Sequence, residues 1–359
     1  MKIVVGISGG VDSSVAALLL KRQGHDVQAL FMKNWHEETE AGGCRWEKDV
    51  EDAMQVCDLL EIPLNTVDLS KAYWDEVFSN FLEEYRAGRT PNPDVLCNQE
   101  IKFKAFLDEA LKLGADKLAT GHYARVDAAG DRYVLQRSVD ANKDQTYFLC
   151  RLNQQQLSRT LFPLGELTKS RVRALAEQNG FITHDKKDST GICFIGERPF
   201  REFLGHYVPV TPGKIQTTAG KTIGEHTGVF FYTLGQRQGL GIGGVQGAPD
   251  EPWYVVDKDL DSNVLTVAQG HDHPRLFSRG LSAADFHWID EAPPPLPLQC
   301  RGQTRYRQTD QPCTVETGEN GKVHIRFSDP QRAVTPGQYV VLYDGARCLG
   351  GGVIESTTP

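Results

Sequence analysis

A glycine- and serine-rich segment near the amino terminus has the composition of a phosphate-binding loop. Residues 6–14 are Gly-Ile-Ser-Gly-Gly-Val-Asp-Ser-Ser, between a short apolar run at 2–5 and a helix-period run closed by Gly24. A glycine-rich turn that opens a helix presents free backbone N–H groups and the positive end of the helix dipole, and both favour phosphate. The lysine of the G-x-x-x-x-G-K-[ST] loop is missing, so this is not the common kinase or GTPase loop. The alternative is an ordinary strand-to-helix turn.

Two cysteines lie in segments where a thiol could react. Cys97 follows Asp94 in a proline-rich stretch, 89–98, which predicts an exposed loop just before a helix. A helix N-terminus favours the thiolate, the loop would give access, and the nearby carboxylate could hold or move a proton. The alternative is a buried cysteine that packs as a small apolar side chain. Cys193 has apolar neighbours, which favour core packing, and its spacing from Cys97 cannot show whether the two pair.

Three further segments could contact a phosphate, a sugar or a base. Lys143-Asp144-Gln145 offers a cation for a phosphate and an amide for a base or sugar, with simple surface solvation as the alternative. Gly121-His122 follows a short strand, where the imidazole could be functional or structural. Arg305-Tyr306-Arg307 places an aromatic ring between cations, a common but weak nucleic-acid pattern.

The composition is that of an ordinary soluble protein. The chain has 359 residues, of which 40% are hydrophobic and 24% charged, with no run of membrane-spanning length and no signal-peptide pattern, so we expect a cytoplasmic protein. None of the eight cysteines forms a C-x-x-C pair, so neither a zinc site nor an iron–sulfur cluster is indicated. The net charge of −8 disfavours a nucleic-acid partner. Basic clusters around 169–173, 186–187 and 301–307 could still follow a phosphate backbone, or be solvated faces.

The order of predicted elements indicates an α/β fold followed by β structure. Alternating strands and helices in the first 120 residues predict a doubly wound parallel sheet, whose ligand should lie at the carboxyl ends of its strands. Those ends carry Ser8, Met32 and Gly121. We predict strands at 2–7, 26–32, 62–69 and 117–120, and helices at 12–23, 47–60, 70–87, 101–113, 168–180 and 198–207. After Pro209, short alternating runs with frequent glycine predict two small β domains that divide near 278–282.

The loop at 6–14 resembles that of the ATP pyrophosphatases, which split ATP into AMP and pyrophosphate while activating an oxygen of their substrate. Over essentially its whole length the chain resembles the bacterial tRNA-specific 2-thiouridylases. The resemblance rests on these segments: 6–13, 30–35, 88–94 with Cys97-Asn98, 119–123, 143–145, 187–196, 233–237 and 305–307.

The resemblance implies a fold and a division into domains. Residues 1–207 would form an adenine-nucleotide alpha-hydrolase-like catalytic domain with a helical extension. A small central β domain would span 208–279, and a C-terminal β-barrel that contacts tRNA would span 280–359.

The resemblance also implies a reaction. ATP would adenylate O2 of uridine 34 in tRNAs for Lys, Glu and Gln, with Mg²⁺ balancing phosphate charge, and sulfur would then replace that oxygen. Cys193 would accept a persulfide from a sulfur-carrier protein or a cysteine desulfurase. Its terminal sulfur would attack C2 directly, or leave as sulfide when Cys97 attacks Cys193, and a Cys97–Cys193 disulfide would form. Asp94 would be the general acid or base.

By the same resemblance, individual residues take binding roles. The nucleotide would contact Gly6, Ile7, Ser8, Gly9, Gly10, Val11, Asp12, Ser13, Met32 and Gly121. The tRNA would contact Asn92, Pro93, Asp94, His122, Lys143, Asp144, Gln145, Arg305, Tyr306 and Gln338.

Two other functions remain open on the residues alone. A ligase that activates a small acid with the same loop, similar to argininosuccinate synthetase, would not need Cys97 and Cys193. A nucleotide-sensing or RNA-binding module would need no reactive thiols at all. Release of AMP with and without tRNA separates these functions.

Overall fold

The computed structural model describes residues 1–35, 45–188, 200–208, 210–243 and 251–359. These residues form a parallel sheet covered by helices, a small central sheet and a closed barrel. No helix in the described ranges is long and apolar enough to cross a membrane.

The parallel sheet has five strands, and every neighbouring pair in it is parallel. Its central strand is an apolar run in which Ile3, Val4 and Val5 are fully buried, because helices cover both faces of the sheet. The predicted doubly wound sheet is confirmed. Across the sheet the strands are Leu64–Asp68, Asp26–Lys33, Lys2–Ile7, Lys117–Ala119 and Thr160–Leu161.

One face of the sheet shares a core with three helices, Val11–Arg22, Arg45–Leu60 and Lys169–Gln178. The other face packs against two long helical rods. Each rod contains a π-helical stretch, a feature that is frequent at functional sites. The first rod consists of Ser70–Tyr73, Trp74–Phe78 and Ser79–Arg86, and the second of Pro93–Leu96, Cys97–Ala105 and Phe106–Lys112. The shorter helices are Thr146–Leu149, Gln154–Ser158, Phe200–Gly205, Val229–Phe231, Pro274–Leu276 and Glu319–Gly321.

The rod that carries Cys97 begins earlier than the sequence predicts. Pro91 and Pro93 indicate a loop through Asn98, but the helix starts at Pro93 itself. Proline suits the first helical position, where its missing N–H would have no intrahelical acceptor. Cys97 is therefore inside a helix and 0% exposed, so the predicted access of its thiol through an open loop is wrong.

The barrel is formed by six antiparallel strands near the carboxyl terminus. It closes because its first strand, Phe277–Trp288, pairs with its last, Arg347–Thr358. Alternating residues such as Val315, Ile325 and Val340 fill its interior. In order around the barrel the strands are Phe277–Trp288, Val323–Arg332, Gln311–Thr317, Leu298–Gln303, Tyr339–Asp344 and Arg347–Thr358.

A hairpin of the amino-terminal part of the chain, which also contains the parallel sheet, extends the barrel sheet. Its strands, Ala124–Ala129 and Arg132–Arg137, pair with each other, and Gln136 pairs with Arg347 of the barrel. The sequence did not indicate this hairpin, because its outer residues are mostly polar or small and show no apolar alternation.

The central sheet has four strands and lies between the other two units in the chain. Its order is Trp253–Asp259, Val264–Gln269, Gly213–Thr217 and Thr222–His226. One core cluster runs through all three units, from Val4 of the parallel sheet through Val255 of the central sheet to Tyr339 of the barrel.

Candidate active site

The predicted phosphate loop joins the central strand to helix Val11–Arg22. Gly10 precedes the first helical turn, and no side chain caps the helix there. Ser13 Oγ accepts from Ser8 N at 3.1 Å and donates to Gly10 O at 3.1 Å, which closes the loop internally. The first N–H groups of a helix lack intrahelical acceptors, so this end can receive an anion.

Close backbone approaches shape the loop into a cradle. Gly9 has φ +69°, and a Cβ on it would lie 2.1 Å from Asp49 O. A Cβ on Gly121 would lie 2.7 Å from Ser13 N, so the strand end at Gly121 presses against the first helical turn. Among the residues that the structure describes, a Cβ on Gly10 would meet only Ser8 Oγ, at 3.4 Å, so these residues leave the cradle open at Gly10.

The neighbouring strand ends at the same edge of the sheet with Met32 and Asn34. Met32 is half-buried and packs against the core. Asn34 is buried, and neither atom of its carboxamide has a hydrogen-bond partner in the described part of the chain. An unpaired buried polar group costs about 1–3 kcal/mol, so a bound polar ligand would stabilise this side chain. Asn34 is missing from the predicted site, and its place two residues after Met32 is the signal that could have found it.

Asp12 of the loop is part of an ion-pair network. Lys169 Nζ lies 2.8 and 2.7 Å from its two carboxylate oxygens, and Tyr123 donates its hydroxyl to Asp12 Oδ1 at 2.8 Å. Lys169 also pairs with Asp188, which Lys143 and Arg173 contact in turn. Burial acts to raise the pKa of Asp188, but hydrogen bonds from Lys143 and Lys169 outweigh it and hold that pKa well below its usual range.

Lys186 holds the loop from the other side. Its ammonium donates to Gly9 O at 2.9 Å and pairs with Asp49 and Asp52. The basic clusters that contain Lys169 and Lys186 are therefore not merely solvated faces, since both lysines are bound to the phosphate loop or to residues beside it.

Asp94 and Cys97 lie one turn apart at the start of the second rod. Asp94 is half-buried, whereas Cys97 is buried in the core with Val95. Asn98 Nδ2 donates to Asp94 O at 3.0 Å and to Phe148 O at 3.3 Å, which ties this first turn to helix Thr146–Leu149. Asn92 precedes the helix in extended conformation, and Pro93 is its buried first residue.

Of the predicted tRNA contacts in the catalytic part, most have partners within the protein. Lys143 pairs with Asp188, and Gln145 exchanges hydrogen bonds with the backbone of Tyr123. Asp144 accepts from Ser138 N at 2.9 Å and Thr146 Oγ1 at 2.6 Å.

His122 is buried in the core of the catalytic part. Its Nδ1 lies 2.8 Å from Thr120 Oγ1, and its ring lies between those of Phe103 and Phe162. Burial lowers its pKa well below the usual value, so the ring is neutral at physiological pH.

Two of the barrel residues predicted to bind tRNA contact the amino-terminal part of the chain. Gln338 Nε2 donates to Thr90 O at 2.7 Å, and the Tyr306 ring lies 4.3 Å from that of Phe148. Arg305 is exposed, and its guanidinium donates to Ala333 O at 3.4 Å. Cys193 and its neighbours 189–199 lie outside the described residues, so the predicted pairing with Cys97 stays a prediction.

Family models match almost the whole chain. They are described as tRNA methyl transferase HUP domain at residues 1–197, tRNA methyl transferase PRC-barrel domain at 201–269 and Aminomethyltransferase beta-barrel domain at 278–354.

Relatives named tRNA-specific 2-thiouridylase MnmA match over the full length. That of Hahella chejuensis is 59% identical over 355 residues, covering 99% of this chain and 97% of the relative. That of Alkaliphilus oremlandii is 58% identical over 354 residues, covering 99% and 97%, and one from Legionella pneumophila is 56% identical over 354 residues, covering 99% and 98%. The chain belongs to the tRNA-specific 2-thiouridylase family. It is thus an enzyme of the sulfurtransferase class.

The solved structures that match have a lower sequence identity to this chain than these 2-thiouridylases. The NMN synthetase of Francisella tularensis is 19% identical, with 56% of this chain and 71% of that chain covered and a TM-score of 0.33. The U34-tRNA thiolase NcsA of Methanococcus maripaludis, described with its [4Fe-4S] cluster, is 19% identical, with 57% and 63% covered and a TM-score of 0.35.

Most of the residues predicted for the site of a 2-thiouridylase lie at or connect to one edge of the parallel sheet. The cradle, Gly121 and Met32 share one sheet edge, and Lys143 and Gln145 connect to it through Asp188, Lys169 and Tyr123. Asp94 and Cys97 lie on the helix that covers the same sheet. Among the described residues, no group of three or more His, Cys, Asp or Glu side chains could hold a metal ion.

Proposed function

We propose that this enzyme thiolates C2 of uridine 34 in tRNAs for Lys, Glu and Gln, using ATP. O2 of the uracil attacks the α-phosphorus of ATP, pyrophosphate leaves, and the base carries AMP on O2. Sulfur then adds at C2 and AMP departs with the oxygen, leaving 2-thiouridine. Adenylation is needed because a carbonyl oxygen is a poor leaving group, whereas AMP is a good one.

The observation that carries this proposal is the cradle at Ser8–Ser13 with its open side at Gly10. An uncapped helix end lined by backbone suits pyrophosphate, and Lys169 and Lys186 offset the carboxylates of Asp12 and Asp49 beside it. The buried amide of Asn34 at the same sheet edge, which has no hydrogen-bond partner among the described residues, suits a polar ligand such as a nucleotide. Mg²⁺ would accompany the phosphates and offset their charge, with Asp12 the carboxylate of the loop.

We assign the sulfur chemistry to Cys193 and Cys97. Cys193 receives a persulfide from a sulfur-carrier protein or a cysteine desulfurase. In one route its terminal sulfur attacks C2, and Cys97 thiolate then attacks Cys193 Sγ, releasing the thiolated base. In the other route Cys97 attacks first and expels sulfide, which attacks C2. Both routes end in a Cys97–Cys193 disulfide, which an external thiol reduces by exchange.

We assign Asp94 the proton transfers at the base, with Asn92 and Pro93 beside it. Uridine 34 must leave the anticodon stack to reach them. The half-buried position of Asp94 supports this role, because its carboxylate reaches the surface whereas Cys97 is fully buried. We further propose that the chain divides into the units 1–207, 208–279 and 280–359, that Arg305 contacts the tRNA backbone, and that the reaction takes place in the cytoplasm.

Release of AMP from labelled ATP tests the proposal. We expect AMP only when a tRNA with uridine at position 34 is present, with a transcript carrying cytidine there as the matched control. Thiouridine should accumulate when a persulfide donor is added. Equal AMP release with both transcripts would contradict the proposed activation of this base.

A further inference from the structure

The barrel touches the start of the second helical rod, here called the catalytic helix because it carries Asp94 and Cys97, through one turn, Thr335–Tyr339. The catalytic segment is residues 90–98, which lead into and include the start of this helix. Gln338 Nε2 donates to Thr90 O at 2.7 Å and to Pro91 O at 3.3 Å, and Pro336 O accepts from Thr90 N at 3.0 Å. These are the residues immediately before Asn92, where the catalytic helix begins. The barrel therefore fixes the backbone that leads into Asp94 and Cys97.

Gly337 makes this close approach possible. Its φ is +91°, and a Cβ on it would lie 2.8 Å from Thr90 N and 2.9 Å from Arg89 Cβ. Within the barrel, Gly337 N donates to Ile354 O and Ile354 N donates to Gln338 O, each at 2.8 Å. The turn is thus held by the barrel on one side and pressed against the catalytic segment on the other.

A second contact holds the other end of the same segment. The Tyr306 ring of the barrel packs on Phe148 at 4.3 Å, and Phe148 O accepts from Asn98. Beside it, Tyr147 donates its hydroxyl to Tyr339 O at 2.9 Å in a buried position. The segment from Thr90 to Asn98 is therefore connected to the barrel before Asp94 and after Cys97.

A partly open pocket of about 120 Å³ borders the segment 90–98 between these two contacts. It lies between the first helical rod, this segment and the barrel, and is lined by Phe81, Pro91, Pro93, Leu96, Asp285 and Tyr339 among others.

We propose that Gln338 and Tyr306 are positioning residues, which set the catalytic segment 90–98 for reaction and couple tRNA docking on the barrel to the chemistry of Asp94 and Cys97. Both side chains were predicted above as tRNA contacts. Their own partners in the protein are the Thr90 and Pro91 carbonyls and the Phe148 ring. A tRNA that moves the turn Thr335–Tyr339 would therefore move this segment with it.

The first test measures Cys97 itself and needs no thiolation activity. We compare the alkylation rate of Cys97 by iodoacetamide, read by mass spectrometry of its peptide, in wild type, Gln338→Leu and Gln299→Leu without tRNA. Gln299 is the matched control, since its amide donates to Thr314 Oγ1 within the barrel. Loss of the Gln338 hydrogen bonds should expose Cys97 more often and raise its alkylation about fivefold, while Gln299→Leu stays at the wild-type rate.

The second test rests on the proposed function and separates positioning from binding. At saturating tRNA, Gln338→Leu should slow single-turnover thiolation about tenfold or more, because a misplaced reacting group costs rate, while the Kd for tRNA changes less than about twofold. Tyr306→Leu should behave likewise, and Tyr306→Phe, which keeps the ring, should restore the rate.

The outcomes are distinguishable. Weaker tRNA binding with an unchanged saturated rate and unchanged Cys97 alkylation would mean that Gln338 is only an RNA contact and would overturn the proposal. If wild type fails to thiolate any tRNA, the proposed function falls, and the alkylation rates alone then decide the positioning role.

Discussion

Lys169 Nζ lies 2.8 and 2.7 Å from the two carboxylate oxygens of Asp12, within the phosphate loop. The pair places a cation beside the cradle and offsets a carboxylate that would otherwise repel the phosphates of a nucleotide. Lys169 is largely buried and also reaches Asp188. It therefore connects the loop to the segment that precedes 189–199.

This pair predicts the effect of Lys169→Met on nucleotide affinity. Removing the ammonium leaves Asp12 facing the phosphates, so the Kd for ATP should rise about tenfold or more. Titration calorimetry with ATP measures the change. Lys169→Arg keeps the charge and should lie between wild type and Lys169→Met, and equal affinity in all three proteins would exclude a role for Lys169 at the nucleotide.

Valine substitutions at the two cradle glycines, Gly9 and Gly10, should have different effects on folding. A side chain on Gly10 meets only Ser8 Oγ at 3.4 Å, so Gly10→Val should keep the fold and block ATP binding. Gly9→Val must adopt φ +69° and collide with Asp49 O, so it should also lower the unfolding temperature. Thermal unfolding and ATP binding of both variants test this. Full AMP formation by Gly10→Val would count against the cradle.

The ion pairs of Asp188 predict a dependence of stability on pH. Its folded-state pKa lies below the unfolded value, so its contribution is fully present above the unfolded pKa of about 3.9 and is lost as the pH falls toward the folded pKa. Urea unfolding of wild type and Asp188→Asn should show a difference in free energy at neutral pH that shrinks below about pH 4. A difference that grows on acidification would reverse the assigned sign.

Binding of tRNA should weaken steeply with salt despite the net charge of −8. Arg305→Glu should raise the Kd for tRNA and leave that for ATP unchanged, because Arg305 lies in the barrel, where its guanidinium donates to Ala333 O and Thr335 Oγ1. Fluorescence titration between about 50 and 200 mM salt measures both effects. A Kd that does not vary with salt would argue against phosphate contacts.

The two cysteines should fail at different steps. Cys193→Ser should accept no sulfur from a persulfide donor, whereas Cys97→Ser should load sulfur on Cys193 and transfer little to tRNA. Mass spectrometry of the loaded proteins and thiouridine analysis of the tRNA follow the two steps. Single serine variants of the remaining cysteines, at 44, 57, 150, 300, 313 and 348, should keep the chemistry, and persulfide found only on Cys97 would reverse the roles.

Local sequence patterns predict those parts of the structure that depend mainly on residues close together in the chain. The apolar run before Ser8 and the helix-period run after it are enough to place the phosphate loop, and alternating strands and helices are enough to predict the parallel sheet. Pro93 misled the prediction because proline is common both in loops and at the first position of a helix, and only packing distinguishes the two. The burial of Cys97 and His122 likewise depends on the helix that covers the sheet.

Contacts between distant parts of the chain had no signal in the sequence. Nothing around Lys186 indicates that it binds Gly9 O, and nothing around Gln338 indicates that it binds Thr90 O. In both cases a single side chain meets a backbone carbonyl, which every residue has, so residue types could not show the partner.

The distance in sequence between Gln338 and Thr90 also sets the order in which the two residues are synthesised. Gln338 is made 248 residues after Thr90, a delay of about 10–50 s at the usual rates of translation. The phosphate loop leaves the ribosome early, but the turn that fixes the catalytic segment emerges close to the end of the chain. A nascent chain can therefore fold its nucleotide cradle well before the turn that contacts its reactive segment has been made.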